Sequence, residues 1–494
     1  MRVIFLIARD AWRHMLRDRV AVVGALLLLV LTVIAAATSH ERQRDAMAQR
    51  ERYQADVDQQ FDAQPDRHPH RMVHYGQFVF RPLSPLAAFD SGIDAYTGTM
   101  IFLEGHRQNT ANFGDARQSS SLLRFGQLTP AFVMQTLAPL LLVFLGFGLV
   151  ARERAAGTLR ILITQGVSGR QIAAGKALAL LGAAAAVLLP AAMALFFLAF
   201  GDVQAMVSAS LLTAGYTLWL AIWALGIVAV STLCARPRDG LMALLAVWVT
   251  VVILLPRLGA AWADARAPLT TRFETDIAIA RDLAAIGDSH RPDDPHFARF
   301  KADVLKRHGV TRLEDLPVNY RGLVAIEGER LTSALFNRYA TASFERQAAQ
   351  SATVDSLAWL APTLAVRRLS MTLTQTDLPS YRRFVEQAEA YRYRLVQSLN
   401  QMQAEKVDYV NERKGAGPTR IAQSNWESIP DFVFDAEAPQ TVIARAGQPA
   451  MVLLVWLLLA GGALAAAART LDGRVSSAMR RARVPDTRST EAAS

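Results

Sequence analysis

Ala177–Phe200 reads ALALLGAAAAVLLPAAMALFFLAF, a run without a charged or hydrogen-bonding side chain. A bilayer core takes roughly 20 residues of helix, and in hydrocarbon a helix satisfies its own backbone N–H and C=O groups. Five further stretches are long and predominantly apolar as well: Val20–Thr38, Pro130–Ala151, Ser208–Ala235, Leu241–Leu258 and Pro449–Ala468. Hydrophobic residues make up 52% of the 494, charged residues 19%, and mean hydropathy is +0.19. Membrane spans diluted by polar segments give such values; a soluble chain of three domains does not. One cysteine, Cys234, excludes an intramolecular disulfide and a multi-cysteine metal centre. Pro139, Pro190 and Pro256 fall in or at the ends of spans, where neighbouring helices can satisfy the freed carbonyls.

Basic residues set the expected orientation. Arg2, Arg9, Arg13, Arg17 and Arg19 precede span one, and Arg152, Arg154, Arg160, Arg170 and Lys176 lie between spans two and three. Arg236 and Arg238 separate spans four and five, and six arginines follow span six, whereas Gly201–Val207 has none. Alternate loops are basic, which puts both termini in the cytoplasm. These four pieces hold 18 Lys and Arg against seven Asp and Glu, so they account for the whole net charge of +10. The basic excess is a topology signal, and no aromatic–basic stripe of a nucleic-acid platform accompanies it. No nucleic-acid partner is expected; membrane lipid is. The apolar stripe Ile4, Ile7/Ala8, Ala11/Trp12 and Met15/Leu16 makes residues 1–19 an interfacial helix on the inner face, and argues against a cleaved signal peptide.

The expected fold is therefore mainly α: a six-helix polytopic membrane protein with an N-terminal interfacial helix and two extracytoplasmic segments. The segments are 39–129 and 259–448, between spans 20–38 and 130–151 and between spans 241–258 and 449–468. A cytoplasmic element at 152–176, spans 177–200 and 208–235, and a tail at 469–494 complete the plan. The larger segment reads as mostly helical. Helices are expected over Thr271–Ile286, Phe297–His308 and Asn319–Ala349, and from Ser380 through Phe384, Ala388, Tyr391, Leu395, Leu399 and Met402. Turn signals stand at Pro292–Pro295 and Gly415–Pro418. The smaller segment is mixed: a charged helical stretch, Glu41–Phe61, extends span one outward before aromatic and Pro/Gly-rich sequence begins near His74–Gly76.

Chemistry-bearing motifs are scarce. His68-Pro-His70 followed by His74 offers imidazoles for a transition metal, but Pro69 constrains the pair and no third ligand type completes a set, so no metal site is assigned. His106, in Leu103-Glu-Gly-His106, lacks the two-His helical zinc spacing. Gly169-Arg-Gln-Ile-Ala-Ala-Gly175-Lys176-Ala177 has one residue too many for a phosphate loop, and Ala where a hydroxyl should hold magnesium. No catalytic set is present, and the span interiors hold no ionisable residue of the kind ion-coupled transporters use. Gln135, Thr136, Tyr216, Thr217, Ser231, Thr232 and Thr250 are expected to form interhelical hydrogen bonds. Trp219, Trp223 and Trp248 are expected as packing or lipid-facing residues.

The patterned loop is Arg152-Glu-Arg-Ala-Ala-Gly157-Thr-Leu-Arg-Ile-Leu162-Ile-Thr-Gln-Gly166-Val-Ser-Gly169-Arg170-Gln-Ile-Ala-Ala-Gly175-Lys176. It reads as a short amphipathic helix, a turn and a basic approach to span three. Positive charge alone requires no such order. The loop resembles that of the permease subunit of ABC-2 type transporters, in which E-x3-G-T-L-x2-L-L leads to a turn with Arg and then G-K. The matching positions are Glu153, Gly157, Thr158, Leu159, Leu162, Arg170, Gly175 and Lys176, with Ile163 in place of the second leucine and Gly166 in place of the usual turn proline.

His74-Tyr-Gly76, Arg81-Pro82, Asp90-x-Gly92-x-Asp94-x-Tyr96-x-Gly98, Leu103-Glu-Gly-His106-Arg-x-Asn109, Arg367-Arg-Leu-Ser-Met371 and Thr376-Asp377 resemble a DUF3526-like subfamily of these permeases. The resemblance implies an inner-membrane exporter subunit without a nucleotide site or enzymatic activity of its own, the eight loop residues meeting a separate ABC ATPase subunit. ATP and magnesium belong to that ATPase, and a second permease copy or a related permease completes the complex. An alternative is a mechanotransmission subunit that relays ATPase motion to external partners and moves no substrate.

Overall fold

A computed structural model describes residues 1–109, 128–287, 291, 294–415, 417 and 419–482. The chain is mainly helical. Among the described residues six helical stretches are long and apolar enough to cross a membrane: Arg19–Asp62, Pro130–Ala155, Gly169–Leu198, Val203–Leu233, Pro237–Arg266 and Pro439–Leu471. This is the architecture of a multi-pass membrane protein. The expected turn residues Pro292 and Pro418, and tail residues 483–494, lie outside the described residues.

Helix α1 (Arg2–Arg17) ends at Asp18, whose carboxylate accepts from the N–H groups of Val20 and Ala21 at 3.1 and 3.4 Å and so starts α2 (Arg19–Asp62). At 1.5 Å per residue α2 is about 66 Å long, twice what a bilayer core needs. Its second half carries the smaller polar segment. Gln43 Nε2 donates to the Ser84 carbonyl at 2.6 Å, and Gln54 Oε1 accepts from the Phe80 N–H at 3.2 Å. That segment continues as α3 (Pro69–Tyr75), β1 (Gln77–Phe80), α4 (Asp94–Thr97) and β2 (Met100–Leu103), with β1 and β2 antiparallel.

Span two is not one regular helix. It runs α5 (Pro130–Phe132), a π-helical turn (Val133–Leu137), α6 (Ala138–Gly146) and, after a bend, α7 (Ala151–Ala155). Pro139 has no N–H to give the Met134 carbonyl, five residues back, and the Trp219 indole donates to it instead at 3.2 Å. The Trp248 indole likewise donates to the Thr136 carbonyl at 3.1 Å. Two tryptophans expected to pack or face lipid thus also repair the backbone. After α8 (Thr158–Thr164), spans three and four are α9 (Gly169–Leu198) and α10 (Val203–Leu233). Span five is α11 (Pro237–Trp248), a second π turn (Val249–Leu254) and α12 (Leu255–Arg266). It passes through Arg257 without a break, beyond the expected end at Leu258.

The larger segment holds α13 (Arg272–Ile286), α14 (Pro295–His308), α15 (Tyr320–Ser356), α16 (Pro362–Leu373), α17 (Leu378–Lys406) and α18 (Tyr409–Lys414), before α19 (Pro439–Ala482) forms span six. The four helices expected there are present. Thr271 caps α13 through a reciprocal pair with Glu274, and Asn319 caps α15. Gly322 lets α15 cross α17 closely, since a Cβ there would lie 2.4 Å from the Ala404 backbone nitrogen.

Two large cores and a smaller third cluster organise the described residues. The larger joins all six spans, Leu28 and Ala35 of span one included, with Ala8, Ala11 and Met15 of α1, while Leu26, Phe197 and Leu458 stay exposed on the outward faces of their spans. The second combines Phe61, Met72, Val79 and Leu103 from the smaller polar segment with Phe384, Leu395, Leu399 and Trp426 from the larger. The two segments form one body. Arg67 and Ile421 exchange backbone hydrogen bonds at 3.1 and 3.2 Å. Helix α16 departs from the expected plan: Leu364, Ala365, Val366, Leu369 and Leu373 belong to the core of the spans. Gly215 of α10 faces Leu369 so closely that a Cβ would lie 2.3 Å from Leu369 Cδ2.

Candidate functional site

Span two ends where Val150 and Ala151 donate their N–H groups to Ser231 Oγ at 3.1 and 3.3 Å. Three residues on, the Arg154 guanidinium donates to the carbonyls of Thr232 (2.6 Å) and Cys234 (2.8 Å), covering the open C-terminal end of α10. Helix α7 is therefore tied to span four by its backbone and its arginine. Gly157, at φ +78°, makes the break between α7 and α8. Gly166, at φ +88°, ends α8, and Ser168 caps α9 through a reciprocal pair with Gln171.

The eight residues singled out by sequence divide into two groups. Glu153 and Lys176 form an ion pair, with Lys176 enclosed. Thr158 Oγ1 donates to the Glu153 carbonyl at 3.1 Å across the Gly157 break. Leu159 is buried with Val150, Ile172 and Leu471, and Leu162 packs onto that cluster. Gly175 admits α1: a Cβ there would lie 2.7 Å from Ile7 Cβ. These residues build and brace the element. Arg170, by contrast, is exposed, as are Arg160, Ile161, Thr164 and Gln165 of α8 and its C-terminal end. The surface open to a partner is thus the outer side of α8 together with Arg170. Helix periodicity from the buried Leu159 would have found it, because Ile161 cannot share that face.

A cavity of about 240 Å³ lies between α1, α7 and α9, lined by His14, Asp18, Arg152, Glu153, Thr158 and Lys176 among others. Arg152 stands 3.8 Å from Asp18 and over the Phe147 ring at 4.8 Å.

At the opposite end of the spans, Gln135 Nε2 donates to Tyr216 Oη at 2.9 Å, Tyr216 donates to Ser370 Oγ at 3.0 Å, and Gln135 also reaches Asp90 Oδ2 at 3.4 Å. Burial raises the Asp90 carboxyl, against hydrogen bonds from Ser370, the Gly92 N–H and Gln135. Spans two and four, α16 and the loop before α4 meet here. Arg81 pairs with Asp94 at 2.7 Å and donates to the Gln375 carbonyl at 2.7 Å, and Ile93 N–H donates to the Thr376 carbonyl at 3.0 Å. Asp377, next in sequence, accepts from Arg445 of α19 at 3.0 Å. The quoted motif residues Arg81, Asp90, Gly92, Asp94, Thr376 and Asp377 therefore form one joint between the polar body and the spans.

Residues 272–435 match the family described as Domain of unknown function (DUF3526). The match begins at the first residue of α13 and ends shortly before α19, so it covers most of the polar stretch between spans five and six. No curated protein matches the chain.

Proposed function

We propose that the chain is the permease subunit of an ATP-driven exporter of the ABC-2 type, in the bacterial inner membrane with both termini cytoplasmic and the polar body outside. Separate ABC ATPase subunits would hold ATP and magnesium, and a second permease copy or a related permease would complete the pathway. The α7–α8 element carries this reading. It presents Arg160 and Ile161 outward beside the exposed Arg170 of α9, while Glu153–Lys176 braces it to span three and Arg154 and Ser231 brace it to span four. A partner that pushes on α8 in one nucleotide state and releases it in the other moves two spans at once. Such coupling needs contacts that differ between the two states. Copurification in mild detergent tests the assignment: an ATPase bound to the wild type and lost from Ile161→Glu supports it. Failure of any ATPase to copurify with the wild type counts against it.

The position of α16 favours a second reading. It packs against spans four and six and runs through Thr374–Asp377 into α17, so movement of the spans passes directly to the outer body. A mechanotransmission subunit that moves no substrate would use this connection. ATP-dependent accumulation of cargo in vesicles distinguishes the exporter from the relay.

A further inference from the structure

Helix α3 carries His70 and His74 one turn apart on the same face. It ends at Gly76, φ +72°, where a Cβ would lie 2.4 Å from Phe102 Cζ and 2.7 Å from the Leu103 carbonyl. No other residue fits so near the returning strand. Strand β1 then pairs with β2 in the register Gln77↔Leu103, which brings the chain back past α3. Gly105 N–H donates to the Val73 carbonyl at 3.1 Å, and a Cβ on Gly105 would lie 2.2 Å from Val73 Cγ1. The next residue is His106, at φ +63°. Two glycines and one strand pair thus deliver a third imidazole to the first two.

The rings gather closely, with centroids 4.7 Å (His70–His74), 5.9 Å (His70–His106) and 5.4 Å (His74–His106) apart. One nitrogen from each lies within 4.8 Å of the others, and Nε2 of His70 and Nε2 of His74 are 3.2 Å apart. Two nitrogens on a tetrahedral ion, each about 2.0–2.1 Å from it, are separated by about 3.3 Å. His70 and His74 already stand at that spacing, and a His106 ring nitrogen lies within 4.8 Å of both.

A carboxylate stands behind the third imidazole. Glu329, fully buried, lies 3.6 Å from His106 Nδ1 and accepts the His106 backbone N–H at 3.3 Å, through Oε2 in both cases. Such a partner orients a ligating imidazole and raises its basicity. Glu329 and the buried Glu389 share one guanidinium, Arg392, at 2.7 and 2.8 Å. By formal charge these three side chains carry one negative charge in excess, which a cation at the histidines would offset. His68 is not part of the group. Its Nδ1 accepts the His70 N–H at 3.1 Å and its Nε2 lies 3.3 Å from Glu412.

We propose that His70, His74 and His106 form a three-imidazole site for a divalent transition metal of the zinc class, with a fourth position open to water beside the exposed His74. Three nitrogen ligands suit zinc and its neighbours; calcium and magnesium call for oxygen. The ion would staple α3 to the turn after β2 and, through Glu329, to α15. The proposal is independent of the exporter assignment.

Tag-free full-length protein in detergent, stripped with EDTA and dialysed free of it, is titrated with zinc against a chromophoric chelator, and with cobalt(II) for its visible spectrum. One zinc per chain and the intense bands of four-coordinate cobalt are expected. His74→Ala and His106→Ala should weaken zinc binding by at least about 100-fold, and Glu329→Gln by about 10- to 100-fold. His68→Ala should leave it within about threefold. His74 is exposed, so its variant tests the site without disturbing a core, and an unchanged elution profile verifies this. Zinc bound no more tightly by the wild type than by His74→Ala, or lost equally from His68→Ala, overturns the proposal.

Discussion

Glu153 in α7 and Lys176 two turns into α9 are ion-paired across the element joining spans two and three, with the Lys176 side chain 5% exposed. Removing one partner leaves the other uncompensated. Lys176→Met should cost about 1–3 kcal/mol, less than for a fully enclosed pair because Glu153 keeps some contact with water. Glu153→Gln combined with Lys176→Met should cost less than the sum of the two, with a coupling energy of at least about 1 kcal/mol. Thermal unfolding of the four proteins in one detergent measures it; additive losses would show the pair to be idle.

Gly157 and Gly175 should respond to substitution in different ways. No heavy atom lies within 4 Å of a Cβ built on Gly157, so Gly157→Ala meets only its left-handed backbone, a cost of about 1–2 kcal/mol. Gly175→Val collides with Ile7 and must push α1 off α9. Limited trypsin digestion should therefore cut at Arg9 and Arg13 much faster in Gly175→Val, and at the wild-type rate in Gly157→Ala. Equal rates in all three would mean that α1 is held by other contacts.

Arg81 and Asp94 are nearly enclosed at the joint between the polar body and the spans. Asp94→Asn leaves the guanidinium without its counter-charge, at a cost of about 3–5 kcal/mol. A Cβ on Gly92 would lie 2.4 Å from the Thr376 carbonyl oxygen, so Gly92→Ala should part the same joint from the other side. Hydrogen exchange should accelerate at residues 90–98 and 374–378 in both variants. Protection unchanged in both would show that the joint is held elsewhere.

Glu412 supplies a pH dependence. Burial alone would raise its carboxyl, but hydrogen bonds from His68 and Asn319, with the charges of His68 and Arg321, bring it below the ordinary 4.5. A depressed folded pKa stabilises above the unfolded value and ceases to do so as pH falls through the folded one. The wild type should therefore exceed Glu412→Gln in melting temperature at pH 6, and the gap should narrow progressively as pH falls below the ordinary 4.5. A gap that persists to lower pH would remove Glu412 as its source.

The six spans were legible because a long apolar run allows one solution in hydrocarbon, and the helices of the larger segment because Phe384, Ala388, Tyr391, Leu395 and Leu399 keep helical spacing. The irregular backbone of span two was not. Pro139 announced a missing N–H, but nothing in sequence said that Trp219, on another span, would satisfy the carbonyl it leaves. The histidine group was half legible: His70 and His74 are neighbours on α3, whereas His106 arrives through strand pairing that depends on Gly76 and Gly105. Of the eight loop residues, most brace the element from within, and Arg170 is exposed. The pattern marks where a rigid element is needed, and the residues exposed on it follow from which side is buried.

Helix α16 has a consequence for the order of assembly. Its apolar residues are covered by spans four and six, yet the chain emerges from synthesis with α16 complete and span six still unmade. Until α19 enters the membrane, one wall of the groove that receives α16 does not exist. The polar body cannot finish folding on its own timetable, because its link to the spans waits for span six. Residues 272–435, although matched as a domain, are for the same reason not a self-sufficient unit: cut free, they would present Leu364, Leu369 and Leu373 to water. Insertion of span six acts as the latch that licenses everything built before it.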